Sequence, residues 1–83
     1  MIRRRKPTAW EIAVAMRLKE FRQVRGLTQE KLAQAVGVGL NTIRKWERGD
    51  RTPGLYLAMR LALALDVSLD ELAGMPPRRK KRK

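Results

Sequence analysis

Asn41, Arg44, Lys45 and Arg48 place one amide and three cations close together in the chain. In a helix running from Leu40 to about Arg48, at about 100° per residue, these four share one side. Ile43, Trp46 and Glu47 fall near the other. An Asn amide bonds adenine bidentately, Arg or Lys bonds guanine O6 and N7, and the cations also hold phosphates. The apolar side suits a core. A charged helix face is most often simply solvated. This one, all of one sign, directly follows a glycine turn.

The turn belongs to the segment 26–49, GLTQEKLAQAVGVGLNTIRKWERG. Gly26 is placed to end a preceding helix. Thr28 is placed to cap the next one with its hydroxyl, and Glu30 sits near the positive end of the helix dipole. Leu32, Ala33 and Val36 lie on one face of that short helix. Gly37-Val38-Gly39 then turns the chain, and the second helix runs from Leu40 to about Arg48 and stops at Gly49. Two short helices joined by a glycine-containing turn make a helix-turn-helix, whose second helix enters the major groove in DNA-binding proteins.

Gly26-Leu27-Thr28-Gln29, Leu32-Ala33, Gly37-Val38, Ile43, Trp46-Glu47, Gly49, Arg51 and Pro53 stand in an ordered set, followed by Val67-Ser68-Leu69-Asp70-Glu71-Leu72. Over roughly residues 16–74 the chain thereby resembles the Cro/C1-type helix-turn-helix family of phage and bacterial repressors. The resemblance implies that Gln29 lies beside the DNA backbone, and that Leu40, Asn41 and Lys45 approach base edges. It also implies that Arg48 and Arg51 contact phosphates and that Arg22 and Glu47 form a buried ion pair. Thr42 and Arg44 complete the expected DNA-facing set. Two positions depart from the family pattern. Gly39 stands where Ser or Thr is usual, so a phosphate-bonding hydroxyl is missing there. Leu40 replaces a polar residue; it either touches a thymine methyl or packs against Ile43.

Eighty-three residues allow one domain. With no cysteine there is no disulfide or thiolate metal site, and with no histidine the commonest general base and metal ligand is missing. The eight carboxylates form no obvious site, and no phosphate loop or nucleophile motif appears. No enzyme activity, cofactor, metal or small-molecule ligand is expected. Residues 55–65, LYLAMRLALAL, are apolar but too short to span a membrane and are interrupted by Arg60. The basic N-terminus is not followed by the apolar stretch of a signal peptide. A cytoplasmic, nucleoid-associated protein is expected.

The net charge is +12, from 20 Lys and Arg against 8 Asp and Glu, and it is unevenly spread. Arg3, Arg4, Arg5 and Lys6 begin the chain; Arg78, Arg79, Lys80, Lys81, Arg82 and Lys83 end it. These ten have no acid among them, whereas residues 9–74 hold all the acids and are nearly neutral. Pro7 sets off the first block and Pro76-Pro77 the second. The expected organisation is a basic arm over 1–8, a helix-turn-helix domain over 9–74, and a basic tail over 75–83. Opposite a polyanion, flexible basic arms release counterions and add sequence-independent affinity, here as non-specific phosphate contacts. An Arg-rich arm also suits a narrow minor groove. A solubility tail, an import signal, a scar and an anionic lipid anchor are the alternatives.

Thr8-Ala9-Trp10-Glu11 fits a capping box opening a first helix that runs to about Arg25, with Val14, Leu18 and Phe21 as its core stripe. Trp10 belongs to an extension of this helix and is expected as a core or edge anchor. A fourth helix runs from about Leu55 to Leu65. A second capping box at Ser68-Leu69-Asp70-Glu71 starts a fifth helix that ends at Gly74. On a wheel of the fourth helix, Leu55, Ala58, Met59, Ala62 and Leu65 form the expected core face. Tyr56 and Leu63 point away, with Leu57 beyond them. Such an all-round apolar helix is usually covered on more than one side, so these three are expected at a protein interface.

The expected fold is all-α: a compact five-helix bundle, lambda-repressor-like, with basic flexible termini. The expected function is sequence-specific binding of double-stranded DNA by a transcriptional regulator, a repressor acting as a dimer on a near-palindromic operator. The alternatives are an adaptor or antitoxin-like component that docks a protein through helix four, and a non-specific nucleoid or RNA binder driven by the arms.

Overall fold

The computed structural model describes residues 6–75. Within them the chain forms five helices: α1 (Ala9–Val24), α2 (Gln29–Val36), α3 (Leu40–Arg48), α4 (Leu55–Leu65) and α5 (Leu69–Ala73). No strand occurs among the described residues. The basic blocks 1–5 and 78–83 lie outside the described residues, as do Pro76 and Pro77.

Local chemistry sets where the helices begin. Thr8 Oγ1 accepts from the Glu11 N–H at 3.1 Å, and Glu11 Oε1 accepts from the Thr8 N–H at 2.7 Å. Ser68 and Glu71 repeat this reciprocal cap at α5, at 3.0 and 2.8 Å. Thr28 Oγ1 caps α2 through the Lys31 N–H at 3.0 Å. Each device satisfies N–H groups that a helix start leaves without an intrahelical partner. The α2–α3 turn requires a left-handed residue, and Gly37 supplies it at φ +86° without the steric cost a side chain would carry.

Three helix ends are closed by arginines from elsewhere in the fold. Arg60 of α4 donates to the Val36 and Ala35 carbonyls at the end of α2, at 2.9 and 3.4 Å. Arg25 donates to the Leu65 carbonyl at 2.8 Å and to the Asp66 carbonyl at 3.3 Å, closing α4. Arg17 closes α5 through the Leu72 and Ala73 carbonyls, at 3.2 and 3.0 Å. A cation at a helix C-terminus satisfies its orphan carbonyls and opposes its negative dipole end.

One core joins Leu18, Leu32, Ala33, Val36, Ile43, Trp46, Leu61, Leu65 and Leu72. Helix α3 lies against both α1 and α2, while α4 bridges α2 and α5. The rotation of α4 differs from the wheel reading. Its buried residues are Leu61, Ala62 and Leu65, and Leu57 packs against the core instead of standing at an outer face. Leu55 and Met59, expected inside, are 80% and 42% exposed. An all-apolar helix has almost no polar edge to fix its rotation. Here Arg60 does so, because its head must reach the end of α2, which turns the Leu57–Leu61 side inward.

Candidate nucleic-acid interface

The face of α3 away from the core is polar and open. Ile43 and Trp46 are buried, while Asn41, Arg44, Lys45 and Arg48 are exposed, and Leu40 and Thr42 are half-buried at the start of the helix. Gly39 opens α3 without a side-chain cap. Gly49 ends α3 at φ +82°, and Arg51 follows, also exposed. Lys45, Arg51, Thr42 and Thr52 share a groove of about 340 Å³ with Trp46, Pro53, Gly54 and Leu57. Two cations and two hydroxyls thus line one open recess between α3 and the start of α4. That is suitable chemistry for a phosphate oxygen. Thr52 was not among the residues singled out from sequence, because only the return of the chain into α4 brings it beside Lys45.

Arg22 and Glu47 set the angle of α3. Arg22 Nε donates to Glu47 Oε2 at 2.6 Å and Nη2 donates to Oε1 at 3.1 Å, a two-point pair with side-chain exposures of 11% and 4%. Arg22 Nη1 also donates to the Leu27 carbonyl at 2.8 Å. The pair therefore ties the end of α1, the approach to α2 and the middle of α3 together. Gln29 completes the network: its Nε2 donates to Glu47 Oε1 at 3.0 Å. The Gln29 amide is thus turned toward α3 and held at the start of α2. No buried side-chain nitrogen or oxygen among the described residues lacks a hydrogen-bond partner.

The structure also sorts the cations. Arg17, Arg22, Arg25 and Arg60 are committed to carbonyls or to Glu47. Arg48 Nε donates to Asp50 Oδ2 at 2.9 Å, in a pair that is largely open to solvent. Arg44, Lys45 and Arg51 have no ion-pair partner among the described residues. Lys19 of α1 and Lys31 of α2 are likewise exposed without an ion-pair partner among the described residues, so three of the five uncommitted cations of residues 9–74 stand on α3 and the loop that follows it.

A helix-turn-helix family model matches residues 18–72. The chain belongs to the Cro/C1-type helix-turn-helix family. The HTH-type transcriptional regulator YazB of Bacillus subtilis is 39% identical over 61 residues, covering 74% of this chain and 86% of that protein. Among solved structures, the restriction-modification controller protein C.AhdI of Aeromonas hydrophila superposes with a TM-score of 0.75 at 37% identity. That match covers 78% of this chain and 98% of C.AhdI. The P22 c2 repressor, solved with a synthetic operator, gives a TM-score of 0.69 at 30% identity over 71% of this chain and 89% of its own. The fold of this family member is lambda-repressor-like, and its family is one of DNA-binding transcriptional regulators. No helix among the described residues is long and apolar enough to cross a membrane.

Proposed function

We propose that this protein is a repressor that binds a near-palindromic operator as a homodimer. The observation that carries the reading is the open polar face of α3: Arg44 and Lys45, with Arg51 in the following loop, are exposed cations without an ion-pair partner among the described residues, and the exposed Asn41 amide stands beside them. Asn41 and Lys45, with Leu40, Thr42 and Arg44 beside them, read base edges. Arg51, with Arg48 once released from Asp50, holds phosphates. Gln29, fixed by Glu47, sets the start of α2 against the backbone. Residues 9–74 do the reading, and the basic arms over 1–8 and 75–83 add salt-sensitive affinity. The P22 c2 repressor's complex with an operator supports this use of the fold.

The dimer reading rests on α4. Leu55, Tyr56, Met59 and Leu63 form one continuous exposed stripe, 80%, 62%, 42% and 74% exposed, with no charge among them. Apolar stripes of this kind mark protein contacts. A self-complementary contact places two α3 helices on one duplex, with half-sites about 34 Å apart or a multiple of it. The test is selection of bound duplexes from a random pool. The expected result is an enriched motif with two-fold symmetry. A single unrepeated half-site would remove the dimer, and no enrichment would remove specific DNA reading.

A further inference from the structure

Helix α2 is pinned at both ends. At its start the Gln29 amide donates to Glu47 of α3. At its far end Arg60 of α4 donates through Nε to the Val36 carbonyl at 2.9 Å and through Nη2 to the Ala35 carbonyl at 3.4 Å. The same guanidinium lies against the turn that follows: a Cβ built on Gly37 would stand 3.9 Å from Nη2. Tyr56 and Arg60 are the two polar side chains of α4, and they hold each other. Arg60 Nη1 donates to the Tyr56 hydroxyl at 3.3 Å, and Arg60 Cζ lies 5.9 Å from the centre of the Tyr56 ring, whose face attracts a cation. On its other side Arg60 borders an open recess of about 340 Å³, lined by Ala35, Met59, Leu63 and Ala64. Apolar walls offer the guanidinium no hydrogen bond there, so Tyr56 is what steadies it.

We propose that Arg60 is a positioning residue for DNA reading, acting through α2, and that the exposed Tyr56 keeps it in place. This proposal rests on the DNA-binding reading above. Helix α2 has eight residues, and so short a helix is marginal by itself. The carbonyls of its last turn have no intrahelical partner. That of Ala33 is taken by the Gly37 and Val38 N–H groups, and those of Ala35 and Val36 by Arg60. Arg60 thus closes α2 directly before Gly37-Val38-Gly39, the segment that aims α3. Without it these two carbonyls turn to water, and the end of α2 and the turn gain alternative arrangements. The start of α2 and the outer face of α3 then lose their fixed relation. A specific duplex must restore that relation on binding, so apparent affinity falls with the fraction of molecules that hold the competent arrangement. Attachment through phosphates alone needs no such fixed relation, so non-specific binding is spared. The fold survives, because Leu61 and Leu65 still anchor α4 in the core.

The test uses the full chain and a short duplex carrying one half-site of the selected motif, so that one protomer binds and self-association does not enter. Affinities for this duplex and for a scrambled one are measured by fluorescence anisotropy, well below the melting temperature of each variant. Arg60→Met should lower the ratio of the two affinities by roughly tenfold, the equivalent of one charge-assisted hydrogen bond. Tyr56→Leu leaves Arg60 in the chain and the α4 stripe apolar, yet should lower the ratio by roughly threefold, the scale of an exposed cation–π contact. In both variants the Val38 N–H, which donates to the Ala33 carbonyl at 3.0 Å, should exchange with deuterium faster, while that of Leu18 in α1 keeps its rate. A lower melting temperature with the wild-type ratio and wild-type Val38 exchange would show a merely structural role and overturn the proposal. If Arg60→Met fails to fold, Tyr56→Leu decides alone, and a wild-type ratio there overturns the proposal. Equal binding of the two duplexes by the wild type would instead overturn the base-reading assignment, and the positioning role with it.

Discussion

Arg22→Met is the most discriminating perturbation of how α3 is held. Methionine keeps much of the alkyl packing and removes the guanidinium. Glu47, whose side chain is 4% exposed, would then be left with the Gln29 amide as its only side-chain donor among the described residues. Removing one partner of a buried pair costs about 3–5 kcal/mol, because the other charge stays buried and uncompensated. At roughly 0.05–0.15 kcal/mol per residue, a chain of this length has only about 4–12 kcal/mol in total. The melting temperature should fall by roughly 12–40 °C, at about 4–8 °C per kcal/mol for a domain of this size. Glu47→Ala should cost less, since Arg22 keeps the Leu27 carbonyl and is slightly more open to water. The double variant Arg22→Met with Glu47→Leu should recover much of the loss, because apolar replacement of a buried pair is often neutral or stabilising. Urea unfolding followed by circular dichroism measures all three. A loss below about 1 kcal/mol for Arg22→Met, the level of an exposed pair, would refute the assignment of α3's orientation to this network.

Other expectations concern the surfaces. Asn41→Ala and Lys45→Ala should each lower binding to the selected duplex by about 1–3 kcal/mol while leaving scrambled duplexes much less affected; equal losses in gel-shift titrations would count against base reading. Arg51→Ala should weaken all duplexes alike and make the slope of log K against log salt shallower by roughly one; a loss confined to one sequence would assign it to a base instead. Tyr56→Glu with Leu63→Glu should abolish self-association with helicity unchanged, because charge in a buried apolar contact is costly. Light scattering decides this, and a wild type that is monomeric at high concentration would remove the dimer. Deleting residues 1–6 and 77–83 should flatten the salt dependence by about 0.9 per lost phosphate contact while the preferred sequence is kept. An unchanged slope would place the arms off DNA.

Much of this protein was legible in its residues because the signals are local. Thr8 and Glu11, Thr28, and Ser68 and Glu71 are hydroxyls and carboxylates at capping spacing, and they start helices wherever they stand in the fold. The glycines at 37 and 49 mark left-handed ends for the same reason. The period of Ile43 and Trp46 against Asn41, Arg44, Lys45 and Arg48 gave the two sides of α3, since one helix has only one way to distribute them. Tertiary structure decided what depends on partners distant in the chain. The rotation of α4, with Leu57 inward and Leu55 and Met59 outward, follows from Arg60 reaching α2 across 24 residues of sequence. The difference between cations held by carbonyls and cations left for a ligand is equally invisible in composition: Arg25 and Arg51 are the same residue type. The carbonyls of Leu65 and Asp66 occupy one and solvent the other. The hydrogen bond from Trp10 Nε1 to the Ala73 carbonyl spans 63 residues and has no local signature, because a backbone carbonyl acquires an address only when the chain has folded.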